Sequence, residues 1–196
     1  MRKSFNSIFL VLQTNEFFHL RMTRVKELDG AFALNMPYKG ERLSMILVLP
    51  AEGKTLTDLE KNMAKIPNIN EVLKFGTRKV KVELTLPKFK LESQIELNEP
   101  LMALGMKDMF DQGKADFSGM TGGPKSLFVS AVVQKAFVEV NEEGAEAAAA
   151  TAGMMMMRAM PMNPIFNCDR PFMFFIRDNL TNMMLFSGHV TDPSAK

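Results

Sequence analysis

The stretch from Glu142 to Met160 holds the residues of most chemical interest, reading Glu-Glu-Gly-Ala-Glu-Ala-Ala-Ala-Ala-Thr-Ala-Gly-Met-Met-Met-Met-Arg-Ala-Met. Arg158 is the only basic residue between Glu146 and Cys168, so one guanidinium stands alone in a run of small and thioether side chains. A segment whose small side chains suit burial, yet whose end offers Arg158 to a protease, has the chemistry of a bait. Two readings of the preceding residues are open. Alanine loses no side-chain entropy on ordering, so Ala147, Ala148, Ala149 and Ala150, following Glu142, Glu143 and Glu146, suit a short surface helix or a linker. In an extended strand, Ala145, Ala147, Ala149 and Thr151 share one face, and Glu146, Ala148, Ala150 and Ala152 the other. Such a segment enters a sheet at little steric cost, with Gly144 as its flexible root.

Catalytic patterns are missing. There is no Gly-x-Ser-x-Gly, no phosphate-binding loop and no His-Glu-x-x-His, and Ser187-Gly-His189 falls inside a strand pattern, so an enzyme is not expected. Cys168 is the single cysteine, which leaves no internal disulfide, and His19 and His189 are too far apart in sequence for metal-ligand spacing; no metal or cofactor is expected. A formal net charge of +2, without a dense Lys/Arg block, gives no case for a nucleic-acid partner. No apolar run is long enough to span a bilayer. The apolar stretch Phe5 to Leu12 follows a basic Met1-Arg2-Lys3, but Asn6 and Ser7 dilute it and no small-x-small cleavage pattern follows, so no convincing signal peptide is present.

The elements that must position the stretch are read from periodicity. Ala31 to Met36 and Leu43 to Leu49 are apolar runs around Pro37-Tyr-Lys-Gly-Glu, a hairpin whose second strand is apolar enough to be buried on both faces. Thr57 with Glu60 fits a capping box for a helix carrying Leu56, Leu59 and Met63, and a second helix is expected over Ile69 to Phe75, stopped by Gly76. Val80, Val82, Leu84 and Leu86 alternate with polar residues as in a half-buried strand, and Phe89 and Leu91 resume the alternation after Pro87. Leu97 to Met106 reads as a helix with Pro100 in its first turn, and Asp108 to Pro124 as loop. Leu127 to Val140 reads as one long strand within a sheet. Phe172 to Ile176 and Met183 to His189 read as a central buried hairpin. Its turn contains Asn179-Leu-Thr181, an N-glycosylation acceptor pattern.

Val140-Asn-Glu-Glu-Gly-Ala-Glu-Ala-Ala-Ala-Ala-Thr-Ala resembles the reactive-centre-loop hinge of inhibitory serpins, and Arg170-Pro-Phe-Met-Phe-Phe-Ile-Arg-Asp resembles that family's carboxy-terminal signature. The resemblance continues through Leu34-Asn-Met-Pro-Tyr-Lys-Gly-Glu-Arg-Leu-Ser-Met-Ile-Leu-Val-Leu-Pro, Leu84-Thr-Leu-Pro-Lys-Phe-Lys-Leu-Glu and Ala115-Asp-Phe-Ser-Gly-Met. It implies an α+β fold of mixed sheets and short helices with an exposed loop over 142–164. It also implies half a domain: residues 24–196 match the carboxy-terminal half, residues 1–23 match poorly, and the early main-sheet strands and amino-terminal helices are missing.

What the family implies for function follows residue by residue. The loop inhibits a serine protease as a suicide substrate, with Arg158-Ala159 as the reactive bond and Glu142 to Thr151 as the inserting hinge. Met154, Met155, Met156, Met157 and Met160 are protease subsite contacts, and a loop one residue shorter would be cut after Met157, favouring a chymotrypsin-like target. Gln134 stands where many members carry a histidine that helps gate sheet opening. The partner implied is a trypsin-like serine protease, the location extracellular, and the incomplete sheet leaves an apolar edge prone to self-association. The alternatives are a non-inhibitory serpin acting as carrier, storage protein or chaperone, or an inactive truncated product.

Overall fold

A computed structural model describes residues 9–12, 20–77, 79–80, 82–123, 127–141 and 163–192 of the chain. The chain divides into two units, one formed by residues 1–89 and 140–195, the other by residues 90–139.

In the first unit the strands are β1 (Phe9–Leu12), β2 (Arg21–Val25), β3 (Ala31–Pro37), β4 (Leu43–Leu49), β5 (Glu83–Pro87), and, later in the chain, β8 (Ile165–Asn167), β9 (Phe172–Asp178) and β10 (Met184–Val190). Five of them form an antiparallel sheet in the order β10-β9-β4-β3-β2. The expected hairpin is present: β3 and β4 pair from Phe32 with Leu49 to Pro37 with Ser44. Its connection turns through Gly40 at φ +83°, a left-handed conformation in which glycine meets no Cβ clash. Ser44 to Leu49 are buried throughout, as expected of a strand covered on both faces.

One face of this sheet is covered by helices α1 (Leu56–Met63) and α2 (Ile69–Val72). Leu59 and Leu73 join Val25, Ala33, Ile46, Val48 and Phe175 in one cluster, with Leu56, Met63, Ile69 and Phe75 packed around it. The cap of α1 lies two residues before the expected one. Thr55 is the N-cap, its hydroxyl accepting from the Asp58 N–H at 3.1 Å while the Asp58 carboxylate accepts from the Thr55 N–H at 3.0 Å. Thr57 is inside the helix. The second helix ends at Val72 rather than Phe75, with Leu73 as its C-cap. On the sheet's other face Phe89 meets Phe172 and Phe174, ring centroids 5.9 and 5.8 Å apart. Each such ring, buried from water, stabilises by roughly 1.5–3 kcal/mol.

The remaining strands form a second sheet in the order β1-β5-β8, antiparallel between β1 and β5 and parallel between β5 and β8. The alternation expected from Val80 becomes regular strand only at Glu83, with Leu84 and Leu86 buried, while Val80 makes a lone bridge to Leu20.

The second unit holds α3 (Asn98–Ala103), a single 3-10 turn at Asp108–Phe110, α4 (Ser118–Thr121), and β6 (Phe89–Glu96) paired with β7 (Val133–Val140). Two expectations are corrected here. The stretch Asp108 to Pro124 is not all loop, and the strand expected from Leu127 begins at Val133. Nor is β7 buried within a sheet: β6 is its only partner among the described residues, and Phe137 is 53% exposed. Lys90 Nζ sits 5.2 Å above the Phe137 ring.

Candidate functional site

The expected reactive segment lies outside the described residues. This applies to Glu142 to Thr151, to Met154 to Met157, to the Arg158-Ala159 bond and to Met160. What the structure describes is the pair of strands on either side of it in sequence.

Upstream is β7, ending at Val140. Most of its residues are exposed, Gln134 among them. Downstream is β8, which runs parallel to β5, with Glu83, Leu84 and Thr85 opposite Ile165, Phe166 and Asn167. The pairing extends past the strand at both ends, since the Glu83 N–H donates to Pro164 O and the Cys168 N–H to Thr85 O, each at 2.9 Å. Phe166 is fully buried and Ile165 exposed, the two-residue period of a strand with one covered face. Burial pushes the Cys168 thiol well above its ordinary value, so it is a packed, unreactive side chain.

Within the signature segment 170–178, Phe172–Asp178 form β9, at the middle of the five-stranded sheet between β4 and β10. Phe172, Phe174 and Phe175 are buried. Arg170 fastens the start of the strand by donating from Nε and Nη2 to Pro50 O, at 3.1 and 3.0 Å, just past the end of β4. Asp178 fastens its end: the carboxylate accepts from the Leu180 N–H at 2.8 Å, closing the turn, and from Arg42 Nη2 at 3.1 Å. These contacts hold its carboxyl below the ordinary aspartate value, the Leu180 N–H contributing most. The partner strand departs from expectation. The hairpin is central only in β9, because β10 is the edge of the sheet and Leu185 and Phe186 are exposed. His189 sits within β10, its Nδ1 3.3 Å from Glu60 Oε1 of α1.

The glycosylation expectation for Asn179 does not fit the side chain's surroundings. Its Nδ2 donates to Glu41 O and to Ser44 Oγ, both at 2.7 Å, so the nitrogen a glycan would need is already engaged in the fold. Asn179 instead lines a cleft of about 220 Å³, together with Arg21, Asn35, Glu41, Ser44, Lys79 and Arg177. Sequence reading missed this cleft. The signal was Asn35 and Arg177, two polar residues interrupting the apolar runs Ala31-Phe-Ala-Leu and Phe172-Met-Phe-Phe-Ile.

Comparison with known proteins places these features. The family model for Serpin (serine protease inhibitor) matches residues 9–193. Serpin B6 of Macaca fascicularis is 46% identical over 160 residues, 82% of this chain and 42% of that protein. The leukocyte elastase inhibitor of Equus caballus is 43% identical over 165 residues, 82% of this chain and 43% of that protein. Among solved structures, native protease nexin-1 with heparin superposes with a TM-score of 0.67 at 34% identity, covering 94% of this chain and 46% of that one. The chain thus spans about half the length of the curated relatives it matches, in agreement with the half-domain implied by the sequence motifs. The extracellular location expected from the sequence is corrected by the same relatives, which belong to a clade of intracellular members.

Proposed function

The chain belongs to the serpin family, and on that premise we propose that it is the loop-bearing part of a suicide-substrate inhibitor of serine proteases, directed at trypsin-like enzymes through Arg158. The observation that carries this reading is the run Gly144-Ala-Glu-Ala-Ala-Ala-Ala-Thr, small enough to become a strand, in a segment bounded by β7 and β8. The protease serine attacks the Arg158 carbonyl carbon. Its proton passes through the catalytic histidine to the Ala159 nitrogen as the peptide bond breaks, leaving Arg158 as an acyl ester on the enzyme. The freed segment from Ala145 to Arg158, extended, spans about 45 Å at roughly 3.3 Å per residue. Its insertion into a sheet carries the attached protease that distance before water hydrolyses the ester, and the drive is a more stable inserted state reached across a kinetic barrier.

Insertion requires a strand on each side of the gap. β7 supplies one flank, with β6 on its other edge, and the described strands of its unit supply no second. The 196-residue chain by itself is therefore expected to be cut by trypsin as a substrate without trapping it, and a version extended to the length of its relatives to trap it. The test is incubation of both with trypsin, read by denaturing electrophoresis for a complex that survives boiling. In the extended version Arg158→Ala abolishes inhibition, and Ala145→Arg keeps the cut but loses the complex. Undiminished inhibition by Arg158→Ala would sink the assignment of the bond. A boiling-stable complex formed by the 196-residue chain alone would sink the account of the missing flank.

A further inference from the structure

The cleft beside Asn179 is lined by more cationic than anionic side chains and is bordered by polar groups that lack partners. Arg21, Lys79 and Arg177 bring three cations to it, against the one carboxylate of Glu41, which lies 3.1 Å from Lys79. Arg177 is 91% buried, its relative exposure being 9%. Its Nη1 donates to Leu73 O at 3.3 Å and its guanidinium lies 5.8 Å from the centre of the Phe75 ring, but no carboxylate pairs with it among the described residues. Burial and the neighbouring Arg21 both push its pKa down, the signature of a positive charge without compensation. Of the five buried side-chain atoms without a hydrogen bond among the described residues, four belong to residues that line this cleft: Arg21 Nε, Asn35 Oδ1, Arg177 Nε and Asn179 Oδ1. Buried polar groups are nearly always paired in folded proteins, so this convergence needs a cause.

We propose that the cleft binds a single phosphate-type oxyanion. The charge follows from the two arginines, whose planar forks suit tetrahedral oxyanions better than an ammonium would. The protonated character follows from the asparagines. Asn35 is 2% exposed, and Asn179 is held in one orientation because its Nδ2 donates twice, which fixes its Oδ1 as an acceptor. A ligand with acceptor oxygens alone leaves that acceptor unsatisfied. Hydrogen phosphate, or a phosphate monoester carrying a neighbouring hydroxyl, supplies oxygens for the guanidiniums and a proton for the amide. Ser44 and the Lys79–Glu41 pair border the same cleft.

The test is thermal unfolding of the 196-residue chain titrated with inorganic phosphate at fixed ionic strength, chloride making up the balance. Saturating phosphate is expected to raise Tm by about 5 °C, the shift produced by selective binding to the folded form. Sulfate, which carries no proton at neutral pH, is expected to need roughly tenfold higher concentration for the same effect, because it leaves the asparagine acceptors unbonded. Arg21→Gln, on the edge strand β2 and only half-buried, keeps the fold and removes one guanidinium; it is expected to lose most of the phosphate response. Asn35→Glu places a carboxylate beside the arginines, and this variant is expected to show a higher Tm than the parent and no response to phosphate. An equal response to phosphate in all three proteins, no response in the parent, or equal potency of sulfate and phosphate would each overturn the proposal. A monoester such as glycerol phosphate separates the two sources: a response stronger than that to inorganic phosphate points to the ester, and a weaker one to the free anion.

Discussion

β7 and β9 are strands of nearly equal length, both rich in apolar side chains, yet one is largely exposed and the other almost wholly buried. The difference lies in their neighbours. β9 has β4 and β10 on its two edges, helices over one face of its sheet and Phe89 against the other. β7 has β6 alone among the described residues, and Val133 and Phe137 face water. Apolar composition states a demand for burial, and the number of partners decides whether it is met. The signature strand belongs to a closed core, while the strand leading into the proposed reactive segment belongs to an open one. That division suits a protein whose proposed action is to add a strand.

The comparison can be broken most sharply at Phe174. It is 2% exposed, so Phe174→Ala is expected to cost roughly 3–5 kcal/mol in urea unfolding. A cost below 1 kcal/mol would mean the β9 core is looser than its packing indicates. Next comes Gly188 on β10, where an added Cβ would stand 2.6 Å from Phe174 Cζ. Gly188→Ala is expected to cost roughly 1–3 kcal/mol by overpacking, and no loss would show that the ring moves aside freely. On β7, Phe137→Ala removes an exposed ring and its contact with Lys90, so the expected change is no more than about 1 kcal/mol. The larger sign there is in solution size, with less self-association in sedimentation, because Leu127, Phe128, Val133 and Phe137 are all exposed.

The smallest expected effect is at the polar end of β9. The Asp178 carboxyl lies below its unfolded value in the folded chain, so its contribution is present above that value and lost as pH falls through the folded one. Tm of the parent should drop more than that of Asp178→Asn as pH goes from 6 to below the ordinary aspartate range. Parallel curves would remove the Leu180 and Arg42 contacts from the account of how β9 is fastened.

Local features were the legible ones. The β3–β4 hairpin was readable because Pro37 and Gly40 punctuate two apolar runs, and the signature motif because its residues are contiguous. The cap of α1 was misplaced because Thr57 and Glu60 match the capping pattern as well as Thr55 and Asp58 do, and only the backbone distinguishes them. The burial expected of β7 and β10 rests on apolar composition, which states a need for cover and not whether another layer supplies it. The cleft is harder to read for a different reason: Asn35 and Arg177 interrupt apolar runs, but Arg21, Asn35, Ser44 and Arg177 come from four strands of the sheet, and no spacing rule joins them.

The parallel pairing of β8 with β5 and the seating of β9 between β4 and β10 also determine what a cut leaves behind. Any break within residues 142–162 separates two polypeptides by covalent connection while leaving both sheets threaded through each other's strands. The carboxy-terminal piece then behaves as a tightly held subunit. It stays bound in native buffer, departs only in denaturant, and must find its partner again by a bimolecular encounter. A nicked molecule should therefore melt at a temperature that depends on its own concentration, as the intact chain's unimolecular unfolding does not.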